Sequence, residues 1–227
     1  MTFSLFDVAF VGSLTPPSAF DFLNPANIGL PVGGGYFVGL ISHTANGNPT
    51  HALIVAPRES GATGPGYPLT TSLSWKTATT ATAGTNSPFD GAANTAAMVA
   101  AGINNHPAAK FCVDLSIGGF TDWYLASRFE WDIAYFNLKP STAANNTSWG
   151  ANIYSVPPKS NNTSSIPAQT GVANFNTSFQ AFAPFTHCSS TEATATTAWL
   201  FNMGAGFQSA DNKIIVNAVR AFRRIAL

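Results

Sequence analysis

The sequence predicts an α+β domain, with two helices packed on short, mostly antiparallel, twisted sheets that long loops connect. Three observations carry this. A glycine-rich apolar run and its return over residues 33–56 read as a hairpin. Two helix-start signals lie mid-chain, at Asp90 and at Ser127. The chain then closes on short apolar stretches, with no heptad array, collagen triplet or solenoid repeat.

In chain order, residues 1–30 are apolar but unpatterned, and Pro16, Pro17, Pro25 and Pro31 exclude a long helix. They read as an extended arm ahead of a domain over 31–227. Its aromatic side chains Phe3, Phe6, Phe10, Phe20 and Phe22 are candidate anchors on a neighbouring subunit. Residues 33–41 and 51–56 are the hairpin strands, and the Asn-, Gly- and Pro-rich 44–50 is its turn. The triple glycine at 33–35 is no phosphate cradle, because neither a helix nor a Lys-Ser/Thr pair follows it. A short strand is expected at 73–77. Asp90 is expected to cap an alanine-rich helix over roughly 92–109. A second helix follows Ser127, with Glu130 at the capping-box position and Pro140 marking its end. Residues 141–178 form the longest polar stretch, a length that marks a loop as functional or mobile. Strands are expected at 198–203 and 214–224.

The composition narrows the function. Hydrophobic residues make up 45% and aromatic residues 12%, enough for a large core. Charged residues make up only 9%, against roughly 25% in an average domain, and ten acids balance ten bases. Such a surface is either coated with Ser, Thr and Asn or covered in an assembly. The one basic cluster, Arg220, Arg223 and Arg224, argues against nucleic acid, which demands a broader positive patch. These arginines either pair with Glu130, Glu192 or Asp211 or bind phosphate, and pairing or an interface role is favoured. No apolar run is long enough for membrane insertion. The start carries no basic export signal, so synthesis in a cytoplasm is expected. Cys112 and Cys188 form no CxxC and read as buried free thiols, with a disulfide as the alternative.

Residues 118–130, Gly-Gly-Phe-Thr-Asp-Trp-Tyr-Leu-Ala-Ser-Arg-Phe-Glu, resemble the G-G-[FY]-x-D-W-x-L-P-[ST]-x-x-E signature of a lectin-like family. That family includes C-terminal domains of bacterial collagen-like adhesins and virion proteins of tailed phages, and its fold is related to formylglycine-generating enzymes. Residues 108–112, the Ser189–Glu192 block and the closing Val219–Arg224 segment are similar to further family blocks, so the resemblance spans roughly 33–225. Ala126 replaces the usual proline and Cys188 the usual tryptophan. The resemblance implies a C-type-lectin-like fold. Physically, Gly118 and Gly119 permit a tight turn, Trp123 and Leu125 point inward, and Asp122 and Tyr124 face the other way. Ser127 and Glu130 cap a helix. The motif thus reads as architecture rather than catalysis.

Chemistry finds little support. His43, His51, His106 and His187 lack metal-ligand spacing. The calcium-lectin triplets are absent, and Ser189-Ser190 near His187 lacks a nucleophile elbow and reads as a turn. No metal, cofactor or enzymatic activity is expected. What remains is recognition by polar loops bearing aromatic side chains. Asn145, Asn146, Trp149, Tyr154, Asn202 and Gln208 are the candidate ligand residues, whereas Trp199, on an expected strand, reads as core. The resemblance implies a bacteriophage virion protein, a homotrimeric fibre tip that joins other virion proteins and binds a glycan or protein on the host surface. The alternative is a capsid decoration or tail-assembly protein without a receptor.

Overall fold

A computed structural model describes residues 20–177 and 179–227. Phe3, Phe6 and Phe10 lie outside the described residues. The order of elements is β1 Pro31–Val32, β2 Gly35–Ile41, β3 His51–Val55, α1 Arg58–Gly61, β4 Ala62–Thr63 and β5 Leu73–Ser74. Then come α2 Gly91–Ala100, α3 Pro107–Val113, β6 Tyr124–Leu125, α4 Arg128–Leu138 and β7 Ser155–Val156. The chain ends with β8 Thr186–Glu192, β9 Thr197–Asn202, β10 Gln208–Asn212, β11 Val216–Asn217 and β12 Val219–Ala226. It is an α+β arrangement whose strands pair antiparallel.

The principal sheet runs β1-β2-β3-β12-β4, with β6 joined to β12 and β7 to β2. The last strand therefore sits in the middle of the sheet, and both its faces are buried. Alternate side chains feed two cores, as the period of a strand requires. Phe37, Ile54, Leu125 and Ala221 face Met98 of α2 and Ala108, Ala109 and Cys112 of α3. Val38, Leu53, Tyr124 and Phe222 face Trp131, Ile133, Tyr135 and Leu138 of α4. The expected alternation of Trp123 and Leu125 against Tyr124 holds, but Tyr124 meets a second core rather than solvent. Helix α4 lies close on β2 because Gly39 sits opposite Ile133 and Asn137. A Cβ there would come within 2.8 Å of Ile133 Cγ2, and Gly39 also follows a bulge with φ 142°. A second sheet, β10-β9-β8, packs beyond α4.

Several expectations need correction. The helix expected over 92–109 is two helices. Gly102, at φ 103°, ends the first, a 3-10 turn at Ile103–Asn105 follows, and Pro107 starts α3 from the first helical position, where its missing N–H costs nothing. Ser189-Ser190-Thr191-Glu192 is part of buried strand β8 rather than a turn, although Thr191 N still donates to Ser189 Oγ across a register shift. Gln208, expected in a loop, opens β10. The strand at 73–77 shortens to Leu73–Ser74. Among the described part of the arm, Phe20 and Phe22 stack on each other (4.8 Å between centroids) and on Phe37 (5.9 and 5.4 Å). Residues 20–30 thus belong to the domain, and these two side chains pack on its own core.

Candidate functional site

The Gly118–Glu130 signature is absorbed by the scaffold. Gly118 (φ 61°) and Gly119 (φ 82°) form a left-handed turn closed by Ile117 and Phe120, whose backbone groups bond reciprocally. Arg223 grips Asp122 with two hydrogen bonds of 2.8 and 3.0 Å and stacks on Phe120 at 3.9 Å. Trp123 Nε1 donates to Phe120 O. Thr95 of α2 accepts from Leu125 N and donates to Leu125 O. The capping box at Ser127 and Glu130 is complete.

Glu130 does more than cap. Its carboxylate is fully buried and accepts from Ser127 N (2.6 Å), Ser127 Oγ (2.9 Å), Gly91 N (3.2 Å) and Tyr124 OH (2.7 Å). One side chain thereby ties the start of α4 to the start of α2 and to β6. Burial pushes its carboxyl up to about 7, and the Ser127 and Tyr124 hydrogen bonds pull it part of the way back. With every contact made to the fold itself and no exposure, it is a joint and not a free acid.

Two of the three arginines pair with carboxylates, Arg223 and Arg224, but not with the expected partners. Arg224 meets Asp90 at 2.7 Å, and Glu192 instead binds Lys213, also at 2.7 Å. Arg220 is buried and donates to Ala56 O and to the carbonyl and side-chain oxygens of Gln180, over the ring of Phe182.

Four of the six predicted ligand residues work inside the protein. Asn145 is buried: it accepts from Tyr135 OH and donates to Thr163 O and Pro167 O, which pins the long loop to α4. Asn202 caps the next turn by accepting from Gly204 N and Ala205 N. Tyr154 stacks on Phe89 at 4.2 Å. Gln208 is buried in β10 opposite Phe201. Local sequence hid the roles of Asn145, Tyr154 and Gln208, because their partners lie across a loop or on another strand. Asn146 is exposed, and Trp149 is half-buried beside two residues that sequence reasoning did not place with it.

Those two are Arg128 and Trp199. Arg128 is the first residue of α4 and points away from the buried Glu130. Its guanidinium lies over the Trp199 ring at 4.2 Å and 5.8 Å from Trp149. The two indoles meet edge to face at 5.8 Å. Trp199 shares its face of β9 with Phe201, which is buried against α4, and is itself only half-buried.

The loop reaches this point because Arg128, Asp132 and Phe136 share one face of α4 at i, i+4 and i+8. Lys159 closes on that face: its amine lies 2.6 Å from Asp132 and from Gly150 O, and 4.9 Å from the Phe136 ring centre. Asn152 donates to Asp132 and Phe129 O, and Asn162 N to Trp149 O. Burial raises the Asp132 carboxyl, and Lys159 pulls it back. Burial also lowers Arg128, against the attraction of Asp132.

Among the described residues, eight buried side-chain polar atoms have no hydrogen-bond partner within the protein. Four belong to this region: Arg128 Nε, Asp132 Oδ1, and Asn162 Nδ2 and Oδ1.

Elsewhere the titratable groups serve packing. His187 is buried between Tyr67 OH (2.8 Å) and Phe185 O, and burial lowers it to about 3. His43 stacks on His51 at 4.5 Å beside Asp90, and burial lowers it to about 4. Cys112 and Cys188 are buried free thiols. Burial raises both, Cys188 to about 12, which keeps them protonated and unreactive. Among the described residues no cluster of three His, Cys, Asp or Glu side chains could hold a metal ion, and no helix is long and apolar enough to cross a membrane. No protein-family model matches the sequence, and no curated protein matches it either.

Proposed function

We propose that this chain is a non-enzymatic surface protein of a bacteriophage virion, a C-type-lectin-like fibre tip that binds a saccharide or protein on the host cell. The resemblance of residues 118–130 to phage and adhesin lectin-like domains supplies the context. The observation that carries recognition is the platform itself: two half-buried tryptophans set at an angle with an arginine between them. Aromatic faces supply contact area at low entropic cost, and amides supply adaptable hydrogen bonds. The signature residues stay occupied with the fold, so the loops are left to do the binding.

The test is binding of the labelled chain to a panel of bacterial cells and their purified surface polysaccharides. Truncating a tryptophan that is a binding hot spot removes about 2 kcal/mol or more, roughly a thirtyfold loss in affinity. Trp149→Ala is expected to lose binding to that extent while the fold stays intact. Unchanged binding by Trp149→Ala and Trp199→Ala would reject the platform.

A second reading, a capsid or tail component without a receptor, is favoured by one observation. Ile214, Ile215 and Val216 are consecutive and 46–56% exposed, as suits a surface covered in an assembly. Imaging of the intact virion separates the two, since a fibre tip projects and a decoration protein lies on the shell or at a joint.

A further inference from the structure

The clasp that holds the long loop on α4 brings together three groups able to react with one another. Asn152 and Lys159 face each other across an antiparallel bridge, where the N–H of each donates to the carbonyl of the other, at 2.9 and 3.1 Å. Residues paired in this way carry their side chains on one side of the ribbon. Both side chains end on the same oxygen of Asp132. Lys159 Nζ lies 2.6 Å from Asp132 Oδ2, and Asn152 Nδ2 donates to it at 3.0 Å. Amine and amide nitrogen are therefore no farther apart than those two lengths combined. Asn152 and Asp132 are fully buried, and the Lys159 side chain, 8% exposed, lies against the Phe136 ring.

The Asn152 carbonyl is held for attack. Its Oδ1 accepts from Tyr154 N at 3.0 Å and from Ser155 N at 3.1 Å. Two backbone donors fixed on one carbonyl oxygen polarise it and stabilise the negative charge that an attack places there. Burial raises the Asp132 carboxyl against the pull of Lys159, and a dry site favours passage of a proton from ammonium to carboxylate. A desolvated lysine amine is a nucleophile. Nucleophile, proton carrier and polarised amide thus converge where water is excluded.

We propose that Lys159 and Asn152 join in an intramolecular isopeptide bond, with Asp132 as the proton carrier. Asp132 takes a proton from the Lys159 ammonium. The neutral Nζ attacks Asn152 Cγ, and an electron pair moves onto Oδ1 between the two backbone N–H groups. Asp132 hands its proton to Nδ2 and takes one from Nζ. The carbonyl re-forms, the Cγ–Nδ2 bond breaks, and ammonia leaves. One amide replaces another, so no oxidant, reductant or cofactor enters. The bond closes residues 152–159 into a covalent loop on α4, and it is independent of the function proposed above.

Intact-mass spectrometry of the full chain is the test. A mass about 17 Da below that of the sequence is expected, for the loss of one ammonia. Trypsin acting on the denatured chain should leave the Lys159–Ser160 bond uncut, because an acylated lysine carries no charge for the protease to recognise. Fragmentation should place the loss within residues 152–159. Lys159→Arg keeps the cation beside Asp132, Asp132→Asn keeps the shape of the carboxyl, and both variants are expected at their full sequence mass. A wild-type chain at full mass, cleavage after Lys159, or a deficit that persists in Lys159→Arg would overturn the bond. A deficit that persists in Asp132→Asn would overturn the role of Asp132. The wild-type reading holds whether or not either variant folds.

Discussion

Replacing Glu130 with alanine removes the acceptor shared by Ser127 N, Ser127 Oγ, Gly91 N and Tyr124 OH. Each donor left buried without a partner costs about 1–3 kcal/mol, and loss of a helix cap by itself costs about 0.5–2 kcal/mol. Ser127 Oγ can turn elsewhere, so two or three donors stay stranded and the loss comes to about 4–6 kcal/mol. That is a large share of the roughly 5–15 kcal/mol that holds a domain together. Urea denaturation followed by tryptophan fluorescence measures it.

Glu130→Gln keeps the shape and removes the charge, and its effect depends on pH. The carboxyl is raised from 4.5 to about 7 in the folded state. Its contribution to stability is therefore fully present below pH 4.5 and is lost as pH rises through 7, a change of about 3 kcal/mol. Glutamine does not titrate, so the cost of Glu130→Gln relative to the wild type should shrink between pH 5 and pH 8. A Glu130→Ala loss below about 1 kcal/mol, or a Glu130→Gln cost that does not vary with pH, would refute the assignment of Glu130 as the buried joint between the two helices.

Other outcomes follow from the same packing. His187 is lowered to about 3, so its contribution is present above pH 6.5 and lost as pH falls through 3; His187→Gln should move the acid-unfolding midpoint to lower pH in a circular-dichroism titration. Lys213, fully buried, binds Glu192, Thr80 O and Ala195 O. Lys213→Met leaves the partly exposed Glu192 short of a donor and should cost about 2 kcal/mol by denaturation. Lys159→Ala should expose the Asn145–Pro167 segment to proteolysis while the principal sheet keeps its amide-exchange protection, because Lys159 clasps that loop onto Asp132 and Gly150.

Local signals in the sequence carried the helices and the hairpin. Ser127 and Glu130 three residues apart announce a capping box, and alternation over residues 123–125 announces a strand. What escaped was long-range. Gly102 sits within an alanine-rich run whose propensity masks the break, until the left-handed φ of that glycine is seen. Ser189-Ser190-Thr191 has turn-forming composition, yet lies buried against β9 because tertiary packing overrides propensity. Trp149 was legible as a loop aromatic. Its partners Arg128 and Trp199 were not, since 50 residues separate the two tryptophans and only the face shared by Arg128, Asp132 and Phe136 brings the loop to them. Asn145 and Gln208 were misplaced for the converse reason: polar residues in a polar stretch gave no sign of their burial.

The most direct measurement uses the tryptophans themselves. Trp75, Trp123 and Trp131 are at most 2% exposed, whereas Trp149 and Trp199 are half-buried at the surface, so acrylamide should quench emission from those two alone. Saturation with a host surface polysaccharide that the chain binds is expected to remove most of that accessible fraction. Quenching that stays unchanged at saturation would place the contact elsewhere and contradict recognition at the Arg128–Trp149–Trp199 platform.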